Sequence, residues 1–151
     1  MLVVDTNVLV YAANSTSQFH RPCREWIDRR RRRPDAWYVT WAILYEFLRV
    51  TTHPRILPRP WTVSGAWQFV ETLLASPGLG ILVPTERHPE VVAQVIAELP
   101  YLVGNIIHDV HTATLMREHG IKQICTRDHD FGRFPFIQTI DPLKVLRLDE
   151  Q

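Results

Sequence analysis

Carboxylates recur along the chain at positions from which they could act together on a phosphate or hold a metal ion. Asp5 directly follows the apolar run 2–4, Glu46 and Asp109 lie in runs with helical periodicity, and Asp128 follows another apolar run. Two carboxylates about 4 Å apart repel by about 4 kcal/mol at an effective dielectric constant near 20. A cluster of four therefore needs shared protons and raised pKa values, or a hard divalent cation such as Mg²⁺ or Mn²⁺. Since no lysine lies in these motifs, the cation is favoured.

Each acid also has a simpler structural explanation when it is taken alone. Asp5 could cap the helix that follows it, and Asp109 could satisfy the N-terminal dipole of its own helix. Asp128 lies in a segment where aspartate is common in turns. Glu46 could pair with Arg49 on the surface. The joint pattern is stronger than any single position, because several of these acids follow strands or lie on helices of one fold.

The elements that must position these acids are predicted from apolar runs and helical periodicity. Glu46 is predicted to face the interior, because Ala42 and Val50 lie four residues to either side of it. Strands alternating with helices, often in pairs, indicate an α/β sandwich with a largely parallel sheet, whose carboxyl ends form the usual place for a site. Strands are predicted at 2–4, 37–39, 81–83, 121–125 and 137–140, with helices at 8–13, 19–32, 41–51, 63–74, 89–99 and 106–119.

Length and composition limit the classes of protein. A chain of 151 residues with 46% hydrophobic residues is long enough for one domain with its own core. No run approaches the roughly 18 apolar residues of a membrane span, and no signal peptide is recognised at the start, so a cytoplasmic protein without a membrane partner is expected. Cys23 and Cys125 are expected to be buried reduced thiols, although geometry alone could exclude a disulfide.

Positive charge is distributed unevenly, although the formal net charge is only +1. Five consecutive arginines occupy positions 29–33, with Arg21 and Arg24 upstream, and Arg55 and Arg59 lie in a proline-rich loop. The arginine run is explained equally well as a solvated helix end or as a surface that contacts phosphates or a partner.

Two other metal or phosphate chemistries are alternatives to the carboxylate site. The chain has seven histidines, among them His108 and His111 three residues apart, but no spacing typical of a zinc site. A phosphohydrolase with Asp5 as nucleophile usually has a second aspartate two residues on, where this chain has Asn7. Both alternatives are therefore disfavoured.

Four features of the sequence occur in a characteristic order and spacing. They are V-D-T-N-V-L at 4–9, the lone Glu46 of the third helix, G-N-I-I-H-D-V-H-T-A at 104–113 and T-R-D-H-D-F at 126–131. Together they resemble the PIN-domain ribonucleases, and most closely their VapC-type toxins. The similarity covers about residues 1–142 as a single domain and leaves 143–151 as a peripheral tail. The loop 52–60 also resembles one subgroup of these toxins.

The resemblance implies a fold, an activity and a set of site residues. The fold would be a PIN-like α/β/α sandwich with a mostly parallel sheet of four to five strands. The activity would be Mg²⁺- or Mn²⁺-dependent endoribonuclease cleavage that leaves a 3′-hydroxyl and a 5′-phosphate. The metal-binding acids would be Asp5, Glu46, Asp109 and Asp128, with Asn7 and Thr126 as supporting polar residues, Asp130 as a further candidate, and Arg55 and Arg59 as candidate RNA contacts.

The resemblance also implies partners. A cognate antitoxin would block the active-site groove, the substrate would be a structured RNA, often tRNA, and the toxin would be a homodimer. A PIN-like RNA-binding or scaffold module that has lost catalysis is the non-enzymatic alternative. It is disfavoured because no acid of the resembling set is missing.

Overall fold

A computed structural model describes residues 1–144 of the protein. Five short strands alternate with six α-helices, and a 3₁₀-helix at Asp130–Arg133 precedes the last strand. The strands are β1 (Leu2–Val4), β2 (Trp37–Thr40), β3 (Leu79–Leu82), β4 (Gln123–Cys125) and β5 (Gln138–Ile140). The helices are α1 (Thr6–Ala13), α2 (His20–Arg31), α3 (Trp41–Thr52), α4 (Val63–Leu74), α5 (His88–Glu98) and α6 (Ile106–Glu118).

All five strands run parallel in the order β3-β2-β1-β4-β5, which confirms the predicted fold class. The chain builds one side of the sheet from β1 to β3 and then crosses back to add β4 and β5 on the other side. The order of the strands therefore reverses between β1 and β4. In open parallel sheets this switch point is where ligands usually bind, outside the carboxyl ends of the strands.

The helices cover the sheet in two groups. Helix α1 packs against α2 and α3, and α3 packs against α4, whereas α5 packs against α6. Crossovers between parallel strands are right-handed, so the reversal of the strand order places the α5–α6 pair on the face opposite the first four helices. Apolar side chains from the sheet and both helical groups form one core, in which Val3, Val4 and Ile124 are fully buried.

Strand β3 begins two residues before the predicted position. The strand is predicted to begin after Gly80, at 81, whereas Gly80 lies inside the observed strand. The aromatic ring of Tyr38 on β2 covers it, so that a Cβ at position 80 would lie 2.8 Å from a ring carbon. A glycine in a strand often marks such a close approach, which the sequence alone does not reveal.

Helix α3 has the predicted length but not the predicted orientation. Ala42 is exposed and Val50 is only half-buried, so the row that contains Glu46 faces away from the core. The prediction that Glu46 points inward is therefore wrong. The helix has two apolar rows, and the row that is buried is the one that does not contain Glu46. The buried residues of this helix are Ile43, Leu44, Phe47 and Thr51.

Three further expectations concern the cysteines, membranes and the C-terminal tail. Cys23 and Cys125 are buried and free, as predicted for reduced thiols. None of the helices within residues 1–144 is long and apolar enough to cross a membrane. Of the predicted tail at 143–151, Leu143 packs against the core, and 145–151 lie outside the described residues.

The close backbone approach at Gly78 gives a prediction about stability. A Cβ at this position would overlap the backbone carbonyl of Asp35, which cannot move like a flexible side chain. We expect Gly78→Ala to lower the free energy of unfolding by on the order of 1–3 kcal/mol, measured by urea denaturation. Gly132→Ala is the control, because a Cβ there meets no atom within 4 Å. Equal unfolding midpoints for the two variants would contradict the packing described here.

Candidate active site

Asp5 lies at the switch point of the sheet and is fixed by three hydrogen bonds. Its Oδ1 accepts from the backbone N–H of Thr6 at 2.7 Å, at the N-terminus of α1. Its Oδ2 accepts from Asn7 Nδ2 and from Thr126 Oγ1, both at 2.6 Å. The capping explanation and the site explanation of Asp5 are thus compatible, because one oxygen caps the helix and the other faces the segment after β4.

Asn7 and Thr126 join the two halves of the site. Asn7 Nδ2 donates to Thr126 Oγ1 at 2.9 Å, and Asn7 Oδ1 accepts from the backbone N–H of Arg127 at 3.1 Å. Thr126 Oγ1 also accepts from the backbone N–H of Asp128 at 2.9 Å. This network fixes the chain after β4 against the start of α1, so both residues lie where the sequence predicted supporting polar groups.

Burial and like charges raise the pKa values of two aspartates. Burial raises the pKa of Asp5 to about 6, and the charge of Asp128 adds to this effect, while hydrogen bonds from Thr126 and Thr6 oppose it. Burial also raises the pKa of Asp109 to about 7, together with the charges of Asp5, Asp128 and Asp130. The structure therefore brings four aspartates from α1, α6 and the segment after β4 into one electrostatic cluster.

Asp128 and Asp130 form the more exposed side of this cluster. Asp128 Oδ1 accepts from the backbone N–H of Asp130 at 2.9 Å, so the two residues form a tight turn. Asp130 Oδ1 lies 3.4 Å from Arg133 Nε, which partly compensates its charge. The turn that would explain an isolated aspartate here is present, but it faces the carboxylates of Asp5 and Asp109.

Glu46 is in a different electrostatic situation. Arg49 donates to both of its carboxylate oxygens, at 2.6 and 2.9 Å, and the Glu46 side chain is 43% exposed. The Arg49 hydrogen bonds lower the pKa of Glu46, and the charge of His108 on α6 lowers it further. Glu46 is thus close to the first turn of α6, but its charge is already balanced and it does not raise the pKa of any aspartate in the cluster.

The donor set fits a hard divalent cation. The four clustered aspartates offer only oxygen, which suits Mg²⁺ and Mn²⁺, and burial together with neighbouring like charges raises the pKa values of Asp5 and Asp109. Within residues 1–144, no three histidine, cysteine or acidic side chains lie close enough together to hold a metal ion. The fit of these residues to the cation therefore lies in the chemistry of their donors.

The candidate arginines do not lie among the acids. The run 29–33 ends α2, and the backbone of Arg33 and Asp35 abuts Gly78 where β2 and β3 begin, at the edge of the sheet opposite Asp5. Arg55 and Arg59 are exposed in the loop after α3. Neither forms a hydrogen bond or an ion pair with the clustered aspartates in the described part of the chain.

An ion pair beside the site was not predicted from the sequence. Arg127 Nη1 lies 3.0 Å from both carboxylate oxygens of Asp141, and its guanidinium stacks on Phe19 at 4.0 Å from the ring centroid. Asp141 directly follows β5, just as Asp5 follows β1, so the pattern of an acid after a strand was visible. Only the position of Arg127 shows that this acid neutralises a cation rather than joining the cluster.

Comparison with known proteins agrees with this geometry. Residues 2–137 match the PIN domain family. Ribonuclease VapC37 from Mycobacterium tuberculosis is 34% identical over 146 residues, which cover 97% of this chain and all of the relative. The chain belongs to the VapC family of PIN-domain ribonucleases. The family resemblance inferred from the four sequence segments is thereby confirmed.

Solved structures of VapC and toxin–antitoxin proteins share the fold. VapC20 of M. tuberculosis, described as a toxin that cleaves the sarcin–ricin loop, aligns with a TM-score of 0.64, at 16% identity over 87% of this chain and 93% of that one. A toxin–antitoxin complex from Klebsiella pneumoniae aligns with a TM-score of 0.58, at 15% identity over 94% of this chain and 98% of that one. At such low identity these likenesses support the fold.

The uncompensated charge of Asp109 gives a prediction about stability. Its carboxylate forms no hydrogen bond or ion pair within residues 1–144, so Asp109→Asn removes repulsion without breaking a contact. Its pKa rises from 3.8 to about 7 on folding, so the native state holds a proton that the unfolded state has lost. Wild-type stability therefore falls as the pH rises through this interval, and Asp109→Asn avoids that loss.

We expect the melting temperature of Asp109→Asn in EDTA to exceed that of the wild type at pH 8, and the difference to shrink toward pH 4. For a domain of this size, each kcal/mol corresponds to roughly 2–4 °C. Asp35→Asn, which removes an exposed carboxylate at the opposite edge of the sheet, is the control and should melt like the wild type. A lower melting temperature for Asp109→Asn at pH 8 would contradict the electrostatic account.

Proposed function

We propose that this chain is a Mg²⁺- or Mn²⁺-dependent endoribonuclease that acts as the toxin of a toxin–antitoxin pair. The observation that carries the proposal is the convergence of Asp5, Asp109 and Asp128 at the switch point of the sheet, with raised pKa values for the first two. Membership of the VapC family supports the reaction class. The substrate would be tRNA or another structured RNA in the cytoplasm.

The residues of the site would have different roles in binding the metal ion and the RNA phosphate. Asp5 and Asp109 would hold the cation directly, and Asp128 and Glu46 would complete the site directly or through water. Thr126 and Asn7 orient Asp5 Oδ2, which keeps this oxygen from rotating away from the cluster. When bound, the metal ion would acidify a water and stabilise charge on the phosphate. In-line attack by water would leave a 3′-hydroxyl and a 5′-phosphate.

Glu46 needs its ion pair with Arg49 to open before it can face the metal. The pair is exposed, and exposed ion pairs contribute only about 0–1 kcal/mol, so rotation of Glu46 toward the cluster costs little. Its helix places it beside His108, one residue before Asp109, which supports a role at the margin of the site. Asp130 would act through Asp128, whose carboxylate its backbone N–H contacts.

Loss of the central carboxylate should abolish cleavage. We expect Asp5→Asn to reduce cleavage of total cellular RNA by at least on the order of 100-fold with Mg²⁺ or Mn²⁺, because the metal-held charge is worth several kcal/mol in the transition state. Asp35→Asn should cleave like the wild type, and EDTA should stop both. Gel analysis of discrete fragments is the measurement. Cleavage by Asp5→Asn at the wild-type rate would overturn the assignment, and RNA binding without turnover in any metal would favour a non-catalytic module.

An antitoxin that covers the site is part of the same proposal. Exposed apolar side chains lie near candidate site residues in the sequence, Tyr45 directly before Glu46 and Val103 six residues before Asp109. Tyr45, beside Glu46, is 68% exposed and lies 6.3 Å from the Trp41 ring, and Val103 is 78% exposed shortly before α6. Apolar groups exposed around a charged groove are typical of a protein-binding surface. The homodimer implied by the family resemblance is likewise proposed, and sedimentation equilibrium tests it.

Co-expression with the small protein encoded beside this chain tests the antitoxin. We expect the two to co-purify, and Tyr45→Ser combined with Val103→Ser to reduce the amount of antitoxin recovered, because both exposed apolar contacts are lost. Val63→Ser is the control, since Val63 is also exposed but lies at the start of α4. If the wild type, the double variant and Val63→Ser all recover the same amount of antitoxin, this surface is excluded. The absence of a neighbouring gene for such a small protein would contradict the toxin role.

A further inference from the structure

A second charged surface lies on α2 and the residues that follow it. Residues 20–33, which we call the arginine segment, contain seven arginines and two acids, Glu25 and Asp28. Their formal charge is 7 − 2 = +5, whereas the whole chain carries +1, so the remainder carries 1 − 5 = −4. The near-neutral total thus hides a strong separation of charge between this segment and the rest of the protein.

The fold turns these arginines outward. Cys23, Trp26 and Ile27 are the buried residues of α2, so the arginines occupy its other faces. Arg24 and Arg31 both pair with Asp28 and therefore share one negative charge. Within residues 1–144, four arginines of the segment have no acidic partner, namely Arg21, Arg30, Arg32 and Arg33, and of these Arg30 stacks on the Trp26 ring. A shallow groove of about 610 Å³ follows the outer face of the helix past Arg21, Arg24 and Arg32.

Stabilisation of the helix does not account for this arrangement. Arg29, Arg30 and Arg31 lie in the last turn, where positive charge is favourable for the helix dipole. Arg21 lies in the first turn and Arg24 soon after it, near the end of the helix where positive charge is unfavourable. Arg24 is compensated by its ion pair with Asp28 one turn on, so it is the position of Arg21 that an external anion explains better than the helix itself.

The arginine segment begins beside the candidate active site. Phe19, directly before α2, stacks under the guanidinium of Arg127, which is the residue before Asp128. The helix then runs for 12 residues, or about 18 Å, to the opposite edge of the sheet. Positive charge therefore extends along the protein surface from the margin of the acid cluster, over a length that several phosphates of a nucleic acid strand would occupy.

We propose that the arginine segment is a second RNA-binding surface that holds phosphates of the substrate away from the scissile bond. The proposal rests on the ribonuclease function proposed above. Aspartates at the site repel the phosphates that flank the scissile one, because a bound cation would compensate charge only locally. Guanidinium groups bind phosphates with two parallel hydrogen bonds, so the segment supplies attraction that the site itself lacks.

Binding without cleavage tests this surface. A fluorescently labelled hairpin RNA of arbitrary sequence would be titrated in EDTA with the wild type and with Arg21→Gln/Arg32→Gln/Arg33→Gln, from about 50 to 200 mM KCl. We expect the triple variant to bind at least about tenfold more weakly and the slope of log K against log [salt] to fall by about 2, since each lost phosphate contact contributes roughly 0.7–0.9. Lysines at the same three positions should restore most of the slope.

The matched control removes the same charge elsewhere. Arg87→Gln/Lys122→Gln/Lys144→Gln changes three exposed cations outside the segment and should bind with the wild-type slope. Equal slopes for the wild type and the segment variant would overturn the proposal. A second outcome would also overturn it: polyglutamate binds the wild type as tightly as the hairpin does, and the segment variant loses this affinity for polyglutamate. The surface would then fit an acidic protein rather than RNA. A wild type that binds RNA through the segment but cleaves none would overturn the ribonuclease proposal alone.

Discussion

The folded protein must hold a buried aspartate, Asp5, at the carboxyl ends of its strands within electrostatic reach of Asp109 and Asp128. Asp5 is tolerable in a nearly buried position because Thr6, Asn7 and Thr126 donate three hydrogen bonds to its carboxylate. Unpaired, a buried carboxylate would be expensive. The same donors connect β1 and α1 to the segment after β4, so the network that makes Asp5 tolerable also fixes the position of Asp128 relative to it. The hydrogen bonds that make the buried charge of Asp5 tolerable therefore also determine the geometry of the site.

The arginines nearest to the site are paired with acids other than Asp5 and Asp109. Arg49 is bound to Glu46, Arg127 to Asp141 and Arg133 to Asp130, so each already has an acid of its own. Had any of them turned toward Asp5 or Asp109, the pKa of that acid would fall rather than rise. Burial is the first cause of the raised pKa values of Asp5 and Asp109, and the like charges of neighbouring aspartates add to it, while the local cations neutralise the marginal acids. Raised pKa values of this kind are typical of functional sites.

Most of the fold was predictable because the elements are short and their apolar patterns are local. The strands of residues 2–4 and 37–39 and the helices were found from periodicity, and Asp5 and Asp128 were placed at the site because both follow strands. The orientation of α3 was not predictable, since two rows of its surface are apolar and only packing decides which one is buried. The start of β3 was missed for a similar reason, because the Tyr38 ring that covers Gly80 belongs to another strand. The pairing of Arg127 with Asp141 likewise depends on the contact of β4 with β5. Proximity in space, rather than residue type, was the missing information in all three cases.

The separation of positive from negative charge has a physical advantage for a protein that must bind a polyanion at an acidic site. Arginines placed among the aspartates would attract the phosphate backbone, but they would also pair with the carboxylates and take the position of the cation. Arginines on α2 lie outside contact distance of the clustered aspartates, where water and salt screen the attraction between the two groups. A long anion can contact both surfaces at once, whereas a small one cannot. The length of α2 therefore sets a minimum size for a ligand that benefits from both, which favours an extended or folded RNA over a short oligonucleotide.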